Sequence, residues 1–231
     1  MTEITIRAAD GGSFSAYQAT PKSGKGPGVL LIQEIFGVNQ VMRGLADGIA
    51  AQGYAVLCPD LFWRQQPGIQ ITDKTEAEWA RAFELYKGFN EAKGVDDLKA
   101  TLAHLRKLPA CTGKAGSVGY CLGGKLAYLM ATRSDADCSV GFYGVGIEGA
   151  LEEAKNIKKP LLLHIAAKDQ FCPPEAQAKI QAGLKGDAHV AIHVYPGMDH
   201  AFARPGGQHY DKASADLANS RTADFFRKHL A

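Results

Sequence analysis

Val118-Gly119-Tyr120-Cys121-Leu122-Gly123-Gly124 is the stretch on which the reading of this chain turns. It fits G-x-C-x-G, the cysteine counterpart of the nucleophile elbow G-x-S-x-G. Ala115-Gly116-Ser117-Val118 reads as a short buried strand, and Lys125-Leu126-Ala127-Tyr128-Leu129-Met130 reads as a helix. A residue between strand and helix sits on a tight turn, so its side chain stands clear of the backbone. Gly119 and Gly123 are expected to permit that turn, because larger side chains would collide across it. The helix N-terminus at Cys121 favours negative charge, which suits a thiolate and a developing oxyanion. Taken alone, the stretch reads equally well as a buried cysteine in a glycine-rich turn.

The flanking chain repeats the strand–helix alternation. Glu3 to Arg7 and Phe14 to Ala19 read as a hairpin through Asp10-Gly11-Gly12. Gly28-Val29-Leu30-Leu31-Ile32-Gln33 is apolar without a break up to Gln33, the pattern of a strand covered on both faces of a parallel sheet. A helix over 41–52 follows, closed by Gly53. Tyr54 to Cys58 is the next strand, and 61–73 a long loop. Helices are predicted over 75–90 and 95–108, with Asp96-Asp97 suiting the N-terminal dipole of the latter. Ser139 to Tyr143 and Pro160 to Ala167 are further strands. Pro174 to Leu184 is a helix, and His189 to Tyr195 alternates like an exposed sheet edge. A helix over 211–229 closes the chain. The pattern implies an α/β fold, a mostly parallel sheet with helices on both faces, in a single domain over 1–231.

The chain has 231 residues and is 46% hydrophobic, enough for a large core. A net charge of +2 with scattered lysines and arginines gives no reason to expect nucleic acid or membrane as a partner. No apolar stretch is long enough to span a bilayer, and the N-terminus reads as a strand rather than an export signal. The five cysteines, Cys58, Cys111, Cys121, Cys138 and Cys172, are irregularly spaced with no C-x-x-C pair. Neither a zinc site nor a redox pair is indicated, and free thiols in the cytoplasm are expected.

Ligands of open parallel sheets bind outside the carboxyl ends of the strands. The polar residues there are Glu34, Asp60, Cys121, Asp169 and His200. Cys121, Asp169 and His200 occur in the chain order of the α/β-hydrolase triad. His200 would serve as general base and acid, and Asp169 would hold its imidazole in the right tautomer. Asp169 also reads as a turn residue or helix cap before Pro173-Pro174, and His200 as a loop histidine. His164 and His193 lie inside strands, and His104, His209 and His229 on or beside helices. Asp60, after Pro59, reads as a structural turn acid. Glu34 follows the apolar run and Gln33, at the end of a buried strand, where a carboxylate needs a partner. It reads as a proton acceptor for Cys121, as half of a buried ion pair with an arginine, or as both. The N–H groups of Ile35 and Leu122 are candidates for an oxyanion hole.

Together these residues resemble the dienelactone hydrolase family of the α/β-hydrolase fold. The matching pieces are Gln33-Glu34-Ile35-Phe36-Gly37-Val38-Asn39, Gly53-Tyr54-Ala55-Val56, Cys58-Pro59-Asp60-Leu61, Gly119 to Gly124, Tyr143-Gly144-Val145-Gly146 and His200-Ala201-Phe202-Ala203-Arg204. They span essentially the whole chain. The resemblance implies hydrolysis of small carboxylated enol-lactones through an acyl-enzyme, with no metal or cofactor. It makes Cys121 the nucleophile, His200 the base and Asp169 its orienting acid. Glu34 would take the thiol proton when substrate arrives, and Arg204 would pair with Glu34 and meet the substrate carboxylate. Phe36 is carried over as a pocket residue. The family's second substrate arginine falls on Trp79 here. Arg81 lies two residues on, about 200° around the helix. Two aromatic hydroxyls of the family's pocket are replaced by Phe83 and Phe142.

The expected partner is a small lactone or ester, and the expected state a monomer. The alternatives are a small-ester or thioester hydrolase of the same mechanism with a less anionic substrate, and a non-catalytic thiol sensor on this scaffold.

Overall fold

A computed structural model describes residues 2–231 of the chain. They gather into two compact units, one running up to Gly116 and the other Ser117–Ala231.

In the first unit, β1 (Thr2–Arg7) and β2 (Ser13–Ala19) form the expected antiparallel hairpin, with Ile6 opposite Phe14. The strand order is β1-β2-β4-β3. β3 (Gly26–Ile32) lies parallel to β4 (Ala55–Pro59), and Leu30 faces Leu57. Every residue of β4 is buried, and β3 is buried from Gly28 onward, as their apolar runs require. Between them runs α1 (Gln40–Ala51). Asn39 caps it by accepting the Met42 N–H at 3.1 Å, and Met42, Ala46 and Ala50 form its buried face. α2 (Glu76–Lys87) starts at Thr75, whose hydroxyl accepts the Glu78 N–H in a Thr-x-x-Glu capping box.

α3 (Glu91–Lys107) begins four residues earlier than its sequence suggests, capped by Asn90. Asp96 and Asp97 therefore lie beyond the first turn, and the dipole reading of these acids is corrected. Asp97 is buried and serves a different purpose. Its carboxylate accepts the Trp63 Nε1–H at 2.9 Å and two N–H groups of Arg64, which ties the 61–73 loop to α3.

β5 (Cys111–Tyr120) carries the chain into the second unit. From Ser117 onward it pairs in parallel with β6 (Ser139–Phe142), then β7 (Leu161–Ala166) and β8 (Val190–Tyr195) follow in the order β5-β6-β7-β8. β8 ends this order and is mostly half-buried or exposed, as its alternation suggests. Among the helices, α4 (Leu122–Arg133) is buried along nearly its whole length and packs on β6. α5 (Pro174–Gly183) packs on a 3₁₀ segment over Ile147–Asn156, and α6 (Lys212–Leu230) packs on β7.

Candidate active site

Cys121 sits at the junction of β5 and α4 with φ 56° and ψ −114°, a left-handed conformation costly for a residue with a Cβ. The turn is held by its neighbours. The Cys121 N–H donates to the Phe142 carbonyl at 3.1 Å, and its own carbonyl accepts the Gly124 N–H at 2.9 Å. A Cβ on Gly119 would lie 1.9 Å from the Gly123 carbonyl oxygen, and one on Gly124 would lie 2.4 Å from that of Phe142. The close approaches thus require Gly119 and Gly124. Leu122 is the first residue of α4, so its N–H has no intrahelical acceptor and stays available beside Cys121.

Asp169 lies in the turn after β7 and is buried. Its Oδ1 accepts the Phe171 N–H at 2.8 Å, and its Oδ2 bonds Nδ1 of His200 at 2.7 Å. His200 follows β8 in a loop fixed at its root, where the His200 N–H donates to Asp199 at 2.6 Å. With Nδ1 turned to Asp169, Nε2 is left as the ring's working nitrogen. Two aromatic rings pack across the imidazole, Tyr143 at 5.1 Å and Phe171 at 4.9 Å between centroids. Burial works against a charge on His200. The Cys121 sulfur, as charge and hydrogen-bond partner, outweighs it together with the Asp169 carboxylate, and the pKa rises to about 10. A thiolate at Cys121 therefore keeps a protonated His200 beside it across the neutral range.

The competing histidines are engaged elsewhere. His164 is buried between Tyr195 and Thr222, with ring nitrogens 2.8 and 3.0 Å from their hydroxyls, and burial lowers its pKa to about 3. Burial also lowers the pKa of the half-buried His193. Asp60 is the turn acid expected, accepting the N–H groups of Phe62 at 2.9 Å and Gly68 at 2.7 Å.

In the first unit, Glu34 and Ile35 are buried just beyond the end of β3, from which Gln33 separates them, and Phe36 follows them. Phe36 meets Trp79 edge-on at 5.0 Å, so Trp79 is a neighbour of this loop. The Arg81 guanidinium is turned away to Glu84 and Gln66. In the second unit, Arg204 is buried four residues after His200, and its backbone N–H donates to the Ala201 carbonyl at 2.9 Å. Phe142 is wholly enclosed, stacked on Tyr120 at 4.7 Å and tilted against His164 at 4.3 Å, which gives it a packing role. Phe83 is exposed. Neither Tyr143, which enters only as part of the Tyr143-Gly144-Val145-Gly146 match, nor Phe171 is named as a site residue by sequence. Their signal is position: one directly follows β6 and the other lies two residues after Asp169. Among the described residues, no three His, Cys, Asp or Glu side chains group as a metal site would require, and no helix is long and apolar enough to cross a membrane.

Residues 14–230 match the sequence profile of the dienelactone hydrolase family. A protein of Azospirillum brasilense, provisionally named a carboxymethylenebutenolidase, is 54% identical over 234 residues and covers 100% of both chains. The carboxymethylenebutenolidase of Pseudomonas sp. strain P51 is 38% identical over 225 residues, covering 97% of this chain and 94% of its own. A crystal structure from Klebsiella pneumoniae subsp. pneumoniae, provisionally named a dienelactone hydrolase, superposes with a TM-score of 0.84. It is 25% identical and covers 98% of this chain and 99% of its own. The architecture is the α/β-hydrolase fold with a mostly parallel set of strands.

Proposed function

Because the chain belongs to the dienelactone hydrolase family, we propose that this hydrolase opens small carboxylated enol-lactones through a covalent thioester on Cys121. The observation that carries this reading is the Asp169–His200 bond of 2.7 Å, with a His200 whose proton is held by the sulfur of Cys121.

The thiolate of Cys121 attacks the lactone carbonyl, and the carbonyl oxygen becomes an oxyanion received by the N–H of Leu122 and, by resemblance, that of Ile35. The ring C–O bond then breaks. His200 gives its proton to the departing enolate oxygen, and the resulting enol tautomerises to the ketone. A water molecule next attacks the thioester, His200 takes a proton from it, and Cys121 leaves as the thiolate. By the same resemblance, Glu34 accepts the thiol proton when substrate arrives and returns it to the Cys121 thiolate once the thioester is hydrolysed, and Arg204 meets the substrate carboxylate. The product is the open keto acid, as in the conversion of a dienelactone to maleylacetate.

The test is hydrolysis of dienelactone by wild type and Cys121→Ala. Wild type should turn over and trap one acyl group per chain on Cys121. Cys121→Ala should lose several orders of magnitude in kcat while keeping the fold. Cys121→Ser should also be poor, because a hydroxyl needs a stronger base. Substantial turnover by Cys121→Ala removes the nucleophile assignment.

A further inference from the structure

Gln177 is the polar residue on the inner face of α5, and it is buried there together with Ala176 and Ile180. A buried carboxamide is costly unless its hydrogen bonds are made. Its amide nitrogen lies 2.7 Å from the Cys172 carbonyl oxygen, 3.1 Å from that of Ala166 and 3.4 Å from that of Ala167. Three acceptors around one atom identify it as the nitrogen, since the amide oxygen would be repelled by each of them. Its two N–H groups therefore serve Cys172 and Ala166, and the Ala167 carbonyl shares one of them at longer range.

These carbonyls bracket Asp169. Ala166 is the last residue of β7, and Cys172 lies three residues past Asp169. One side chain thus pins both ends of the turn that carries the acid. The other side of the turn is held by the segment that carries the histidine. The Lys168 N–H donates to the Met198 carbonyl at 2.8 Å, and Oδ2 of Asp169 meets Nδ1 of His200 at 2.7 Å. Backbone bonds within the turn are longer. The Asp169 N–H reaches the Ala166 carbonyl at 3.3 Å, and the Cys172 N–H reaches the Asp169 carbonyl at 3.3 Å. A turn with long internal bonds takes its shape from what grips its ends. All of these residues belong to the second unit, as does Cys121.

We propose that Gln177 is a positioning residue whose carboxamide holds the 166–172 turn closed and so keeps Oδ2 of Asp169 on Nδ1 of His200. It acts on the reaction through Asp169 alone. The kinetic part of this inference rests on the lactone-hydrolase reading above. Misplacing a reacting group by about an ångström can cost roughly 100-fold in rate. The loss belongs in kcat, because no substrate contact is removed.

Two variants test it. Gln177→Met keeps the length of the side chain and removes both donors. Gln177→Glu keeps its shape and sets an acceptor against three carbonyls. Each should lower kcat on dienelactone by about 10- to 100-fold and leave KM within about 2-fold of wild type. Without any substrate, the Nδ1–H resonance of His200 reports the bond to Asp169 by NMR. It should lie at low field in wild type, and in both variants it should move upfield and exchange faster with water. An unmoved resonance in a folded variant overturns the positioning role whatever the rate, and so does a wild-type kcat. If wild type does not hydrolyse dienelactone, the hydrolase reading falls, and the resonance alone decides the role of Gln177. If neither variant folds, amide exchange in wild type decides it. The Cys172 N–H should exchange no faster than the Ile180 N–H of α5, because turn and helix must then open together. Much faster exchange at Cys172 overturns the proposal.

Discussion

Phe171 acts on the proposed general acid twice. Its backbone N–H occupies Oδ1 of Asp169, which leaves Oδ2 for His200, and its ring packs at 78° to the imidazole. Tyr143 also packs on the same imidazole, at 64° to it. Aromatic faces also favour the charged ring, by about 0.5–2 kcal/mol per contact. Phe171→Leu keeps the backbone N–H and removes the ring. It should lower kcat by roughly 10-fold and move the alkaline limb of the kcat/KM profile, expected in wild type at the raised His200 pKa of about 10, down by up to about one unit. Phe171→Tyr should restore both. A Phe171→Leu profile with an unmoved alkaline limb shows the ring to be packing alone. Glu34 belongs to the same scale. Glu34→Gln keeps the shape and removes the proton acceptor, so acylation in a single turnover should slow more than binding weakens. Acylation at the wild-type rate leaves Glu34 an ion-pair partner and no more.

At the scale of elements, β7, β8 and α6 are joined by one hydrogen-bonded chain. Arg221 donates to the Tyr195 hydroxyl at 3.1 Å, and that hydroxyl lies 2.8 Å from Nδ1 of His164. Nε2 of His164 faces the Thr222 hydroxyl, which itself donates to the Ala218 carbonyl at 2.9 Å. Thr222 has one proton and has given it away, so Nε2 must donate and Nδ1 must accept from Tyr195. This arrangement needs a neutral His164, and burial holds it neutral down to about pH 3. The unfolded chain takes the proton near pH 6.5. Below that value the unfolded state binds a proton the folded state refuses, so stability is intact above pH 6.5 and falls as the pH drops toward 3. The slope contributed is at most about 1.4 kcal/mol per pH unit. Urea midpoints between pH 7 and 4 should show the loss in wild type and a shallower one in His164→Gln. Parallel pH curves for the two proteins rule this histidine out as the source.

The same scale shows what the sequence makes legible. The strand–elbow–helix unit is readable because close backbone approach leaves only glycine at Gly119, as expected, whereas the tight contact at Gly124 is seen only in the structure; buried parallel strands need unbroken apolar runs. The start of α3 is misread because Gly94 looks like a helix break. In the structure a Cβ there would lie 2.2 Å from the Phe89 ring, so the glycine permits a close contact inside the helix. The 3₁₀ segment over Ile147–Asn156 escapes because it kinks at Ala150 and has no regular 3.6 period. Tyr143 and Phe171 escape because a search of strand ends for titratable groups passes over aromatic residues. Their role depends on where His200 arrives, 29 residues after Phe171 in sequence.

For the whole molecule, charge is nearly balanced, at +2 over 231 residues, and the basic residues form no run. Such a surface projects little field, so an anionic substrate is not drawn in from a distance. Any preference for a carboxylated lactone must then come from a local contact, and Arg204 is the buried cation proposed for it. A buried contact is screened far less by salt than exposed charges are. Two measurements separate the local from the long-range account. Raising ionic strength from 20 to 200 mM should change wild-type kcat/KM on the carboxylated lactone by less than about 2-fold, a range over which strongly steered associations fall steeply. Arg204→Met should lower kcat/KM on that lactone by about 10- to 100-fold and on a neutral enol ester much less. A charged hydrogen bond is worth roughly 1.5–3 kcal/mol. Equal losses on the two substrates show that Arg204 does not read the carboxylate. A steep salt dependence that persists in Arg204→Met shows that the surface as a whole selects the anion.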